Sequence, residues 1–175
     1  MKQLILILLS ALVLTTSCGD DKENNAPYLG YVAGTVESIL DGSNESVGFL
    51  IKLKMPNNQV IDASVGDNNE KNRFEKGKKV TLKGMISDRF MHVQKIISTN
   101  NEQFVLEGEV ESIKDNQGGY SAKVVTNEKE TFYTLFSISN LSTGYKTFKK
   151  GDNINVSGTL WVSDNELNMT VKAIN

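Results

Sequence analysis

The chain holds one cysteine, one histidine, one tryptophan and two prolines in 175 residues, and each shortage removes a class of explanation. A lone thiol leaves no disulfide, so folded domains must be held by their apolar cores. With His92 as the only histidine, a His-based metal site and a His-activated nucleophile both lack their parts. His92 stands between Met91 and Val93, where alternation puts it on the outer face of a strand. Gly118 and Gly119 fall in a hairpin turn and no Gly-Lys-Ser follows them, so there is no phosphate-cradling loop. Carboxylates are plentiful but scattered over loops and outer faces. The chain therefore reads as non-catalytic, with no cofactor and no metal. Lys and Arg number 19 against 21 Asp and Glu, a net charge of −2. That balance argues against a surface built throughout for phosphate backbones.

Long hydrophobic runs are also scarce, and the only one is at the amino terminus. Met1 and Lys2 give a short positive start, Leu4 to Leu14 is nearly unbroken aliphatic, and Thr15, Thr16 and Ser17 are small. Eleven helical residues rise about 16 Å, roughly half the hydrocarbon thickness of a bilayer, which fits a signal-peptide core and not a span. Cys18 directly after these small residues resembles the lipobox of bacterial lipoproteins. The resemblance implies a signal peptide over residues 1–17, diacylglycerol on Cys18, and a membrane partner through that anchor. Residues 18–29 are polar, end near Pro27, and read as a flexible tether. Their acidic cluster (Asp20, Asp21, Glu23) resembles the surface-export signals of some outer-membrane lipoproteins. The implied address is the cell envelope, at the periplasmic or surface face of the outer membrane.

The remaining chain is a repeat. Phe74, Lys76, Gly77, Val80, Leu82, Gly84 and Ile86 return as Phe148, Lys150, Gly151, Ile154, Val156, Gly158 and Leu160, every pair 74 positions apart. Gly34, Val36, Glu37, Ser38, Ile39 and Asp41 return as Gly108, Val110, Glu111, Ser112, Ile113 and Asp115 at the same separation. Two copies of one small domain follow, at 30–98 and 104–175, with a polar linker at 99–103. Period-two alternation predicts five strands per copy, and a glycine kept inside the fourth predicts a bend where a barrel turns a corner. Length differences between the copies fall where loops should be.

This layout, with three strands, a variable link, then Phe-x-Lys-Gly and an alternating strand ending in glycine, resembles the OB-fold. More narrowly it resembles bacterial lipoproteins whose domains are similar to the tRNA-anticodon-binding OB-fold. The fold class expected is all-β, with two tandem five-stranded OB-fold-like barrels after a lipoprotein signal peptide. OB-folds bind across strands two and three and the adjoining loops. Lys52, Lys54, Arg89 and Phe90 would line that surface in the first copy, and Lys123, Tyr133 and Trp161 in the second; the alternation leaves open whether Phe132 takes the place of Tyr133. The run Lys71, Arg73, Lys76, Lys78, Lys79, Lys83 reads as the solvated side of a half-buried strand. The resulting expectation is a binding or assembly module for an envelope protein or glycan. Nucleic acid is set aside as a partner, and single-stranded oligonucleotide binding is the alternative function.

Overall fold

The computed structural model describes residues 26–41, 48–141 and 144–175. The expected signal peptide, Cys18 and most of the tether lie outside the described residues. From Tyr28 onward the chain is built of strands: β1 Tyr28–Asp41, β2 Phe49–Lys54, β3 Val60–Val65, β4 Lys79–Ser87 and β5 Phe90–Ser98, then β6 Phe104–Asn116, β7 Gly119–Val125, β8 Thr131–Ser137, β9 Asn153–Ser163 and β10 Glu166–Ile174. Short 3₁₀ segments occupy Asn68–Arg73 and Asn101–Gln103. Each half closes into a five-stranded barrel. Around the first the order is β1-β2-β3-β5-β4, and around the second β6-β7-β8-β10-β9. Neighbouring strands are antiparallel except β3 with β5 and β8 with β10. These are two OB-fold-like barrels in tandem.

Closure is explained by the repeated residues. A Cβ on Gly84 would lie 2.0 Å from the His92 carbonyl oxygen, and one on Gly158 would lie 2.0 Å from that of Thr170. At both corners only glycine lets the crossing strands come so near. The ladder slips beside each, between Lys83 and Gly84 and between Val171 and Ala173. The Phe-x-Lys-Gly turn does a second job. Gly77 N donates to Val36 O at 2.8 Å and Val36 N donates to Lys78 O at 3.0 Å; Gly151 and Asp152 make the same pair of bonds with Val110. These bonds fall where β1 and β6 bulge, between Val36 and Ser38 and between Val110 and Ser112. The extra residue in each strand is Glu37 or Glu111, which is why Val-Glu-Ser-Ile repeats as a unit.

Each barrel has its own core. Val36, Ile51, Leu53, Val80, Leu82 and Met91 fill the first, and Val110, Val124, Phe136, Val156, Met169 and Val171 fill the second. Phe74 and Phe148 plug corresponding ends. Phe74 meets Phe49 edge-on at 5.7 Å between ring centroids, and Phe148 meets Phe136 at 5.7 Å. In the second barrel Phe136 also stacks on Tyr120 at 4.6 Å, and the Tyr120 hydroxyl donates to Lys146 O at 2.7 Å. That bond ties the longer loop of this copy to its core.

The barrels also pack on one another. Tyr31 and Ile97 of the first lie against the core of the second. Asn101, buried in the connecting 3₁₀ turn, donates to Thr81 Oγ1 at 2.8 Å. β9 runs through Trp161 to Ser163, and the last turn is made by Asp164 and Asn165, both at positive φ (51° and 59°).

Candidate binding surfaces

The outer faces of strands two and three can now be read by register. In the first barrel Lys52 pairs across to Asp62, and Asp62 to Phe90. The Lys52 ammonium is 3.8 Å from the Asp62 carboxylate. Phe90 is half-buried and meets His92 edge-on at 4.8 Å. On that face Lys52 meets a carboxylate at ion-pair distance without a hydrogen bond.

In the second barrel the register runs Lys123 to Tyr133, Tyr133 to Asn168, and Asn168 to Trp161. The ambiguity in β8 is settled by burial: Phe132 points inward and Tyr133 outward, with 37% of its surface exposed. Trp161 is 38% exposed. Three of the residues singled out by sequence therefore fall in one row across four strands. Lys123 at its end is 2.6 Å from Glu111, the bulged residue of β6. The hydrogen bond to Glu111 raises the Lys123 pKa, keeping the ammonium charged.

Lys54 and Arg89 sit elsewhere. Lys54 ends β2 and lines a cleft of about 450 Å³ between the barrels, opposite Trp161. Arg89 lies in the β4–β5 turn, beside Asp88 and Tyr28. Among the described residues neither Lys54 nor Arg89 makes an ion pair. The structure thus separates the seven expected surface residues into the outer face of each barrel, the cleft between the barrels and, for Arg89, a hollow lined by the first barrel alone, with Trp161 belonging to both the second face and the cleft.

One cluster had no counterpart in the sequence reading. Glu130, in the turn before β8, is buried against the first barrel. It accepts from Tyr31 Oη at 2.5 Å, from Lys83 Nζ at 3.0 Å and from Lys95 Nζ at 3.0 Å. Burial alone would raise its pKa, but these hydrogen bonds outweigh burial and the carboxyl is held below its ordinary range. Burial and the same hydrogen bond push the Tyr31 phenol well above its usual range. Lys95 also reaches Glu128 at 2.6 Å. Burial lowers its pKa, but the hydrogen bonds it donates to both carboxylates prevail and raise it. Among the described residues no three His, Cys, Asp or Glu side chains gather where they could hold a metal ion.

No family model matches the chain, and no curated protein matches it. Solved structures do match at the level of the fold. A deletion mutant of the single-stranded DNA binding protein from Thermus aquaticus is 13% identical with a TM-score of 0.39, covering 84% of this chain and 92% of its own. The Ifi202 HINa domain in complex with double-stranded DNA is 11% identical with a TM-score of 0.36, covering 83% and 94%. The molybdate-binding protein ModG is 13% identical with a TM-score of 0.28, covering 74% and 89%. The setting aside of nucleic acid as a partner is corrected on the charge of the separate barrels; the matched chains include DNA-bound and DNA-binding ones, a likeness of fold alone. That exclusion came from a whole-chain charge balance, which averages the two barrels. Residues 30–98 carry ten Lys and Arg against eight Asp and Glu, whereas residues 104–175 carry seven against nine.

Proposed function

We propose that the tandem barrels are a non-catalytic binding module for single-stranded nucleic acid. The observation that carries this reading is the row Lys123, Tyr133, Asn168, Trp161, brought into line by strand register across β7, β8, β10 and β9. Exposed aromatic rings offer stacking platforms that any base can use, and Lys123, which shares its charge with Glu111, is the one cation of the row. The row lies on the strand-two and strand-three face that OB-folds use. The export address read from residues 1–18 belongs to the same proposal, and the nucleic acid is one met in the cell envelope.

Trp161 supplies the assay, because it is the only tryptophan. Titrating residues 26–175 with an oligo(dT) or oligo(U) should quench its fluorescence. The logarithm of the binding constant should fall with that of salt concentration by about 0.7 per phosphate neutralised. Tyr133→Ala should cost roughly 1–3 kcal/mol of binding free energy. An unchanged Trp161 signal, together with no binding at low salt by anisotropy, would sink the reading.

A further inference from the structure

The row on the second barrel ends at Trp161, and Trp161 is also the wall of the cleft between the barrels. Two clefts of about 450 Å³ each meet there, sharing Ala33, Met55, Pro56 and Trp161. A third, of about 420 Å³, continues from Met55 and Tyr28 to Arg89. Together they make one groove, running from Lys54 and Lys79 past Trp161 and along Tyr28 to the β4–β5 turn. Tyr28 is 54% exposed and lines the groove between Trp161 and Arg89.

The charge in this groove is of one sign except at a single point. Its lining holds Lys54, Lys79 and Arg89, and Asp88 is the one carboxylate. Lys79 is 3.1 Å from Glu102, whereas Lys54 and Arg89 lack ion-pair partners among the described residues. Met55 and Pro56 form an apolar floor between the cationic ends. Cations at the ends and aromatic rings along an apolar floor suit a chain whose phosphates are charged and whose bases are flat and uncharged. A neutral glycan would leave both cations unanswered.

We infer that a single strand of nucleic acid continues from the outer face of the second barrel into this groove, with a base on Trp161, a base on Tyr28, and phosphates on Lys54 and Arg89. The site is then composite, because Trp161 comes from one barrel and the other three residues from its neighbour. The inference rests on the proposed function and adds a path to it. The Glu130 cluster holds the two walls of the groove in register, since its donors lie on β1, β4 and β5 and its carboxylate on the second barrel.

The test compares the unsubstituted protein, Lys54→Glu with Arg89→Glu, Tyr28→Ala, and Lys149→Glu with Lys150→Glu as a control on exposed lysines outside the groove. Anisotropy of a labelled oligo(dT) over a salt series reads binding, and thermal melts confirm that each variant is folded. The expected result is at least tenfold weaker binding for the Lys54 and Arg89 pair, with a salt slope shallower by about 1.4 for two lost phosphate contacts. Tyr28→Ala should weaken binding about fivefold or more, and the control pair much less than the groove pair. If the unsubstituted protein binds and the groove variants bind equally well, the groove is overturned while the face of the second barrel stands. If the unsubstituted protein does not bind, both the groove and the function it extends are overturned.

Discussion

The two barrels share strand order, a corner glycine, the phenylalanine plug and the pinned bulge, yet they differ in what they show to solvent. The first carries both arginines of the chain and the cationic excess. The second carries the tryptophan, an exposed tyrosine on its outer face and the carboxylate that joins the halves. Their interiors differ by degree: one edge-on contact, Phe49 to Phe74, against a set of rings formed by Tyr120, Phe136 and Phe148. The repeated residues are those whose backbone geometry or burial permits little else. The residues free to vary have divided the surface chemistry, so cations dominate one side of the groove and an aromatic wall forms the other.

The largest effects should come from breaking what the barrels share. Phe74→Ala and Phe148→Ala each remove a buried ring and should cost about 3–5 kcal/mol. Because the cores are separate, calorimetry should show each substitution lowering the melting of its own barrel first. A single concerted shift of equal size in both barrels would mean that the cores unfold as one.

A smaller effect should appear where the barrels are joined. Glu130→Gln keeps the shape but removes the charge that Lys83 and Lys95 answer, and should cost about 2 kcal/mol near neutral pH. The carboxyl is held below its ordinary value, so its contribution is fully present above about pH 4.3 and is lost as pH falls through the depressed folded value. Urea midpoints measured from pH 3 to 7 should therefore show the Gln variant approaching the parent at the acid end. A constant gap at every pH would show that the charge is not what matters.

The smallest effect separates the barrels from each other. Tyr120→Phe removes the hydroxyl that holds Lys146 O, and should cost about 1 kcal/mol. Phe49 occupies the corresponding place in the first barrel without any hydroxyl. Faster amide exchange around residues 145–148, with the first barrel unchanged, would locate the loss.

Much of this fold was legible because its constraints are local or repeated. Gly84 and Gly158 stood out as glycines inside strands, and the structure gives the reason, a carbonyl oxygen 2.0 Å from where each Cβ would be. Phe-x-Lys-Gly was legible as a motif but only half understood, since its hydrogen bonds to Val36 and Val110 depend on tertiary approach. In β8 alternation could not choose between Phe132 and Tyr133; register against Lys123 and Asn168 does. The Glu130 cluster was not legible at all. Tyr31 and Glu130 are 99 positions apart, and each lies where the copies disagree: Val105 stands 74 after Tyr31, and Gln59 stands 71 before Glu130. The available signal was that break in the repeat, a pair of polar residues present in one copy each. Lys54 and Arg89 were assigned to the outer face, whereas Lys54 lines the cleft between the barrels and Arg89 a hollow of the first barrel; a cleft between two domains has no local pattern.

The pairing of β1 with β4 bears on how the chain comes into being. Tyr28 lies opposite Ile86, and Gly30 opposite Gly84, so the first strand of the barrel must wait for nearly sixty further residues before its second edge is covered. The second barrel repeats this wait on its own, with Phe104 opposite Gly158. A chain that emerges amino end first therefore passes through two separate closures, the first possible once Ser98 is out and before β6 exists. Tyr31 meets Glu130 only later. The interval in which an uncovered strand edge could pair with a neighbouring chain is thus split into two short ones, and the bond between the barrels is left until both are sealed.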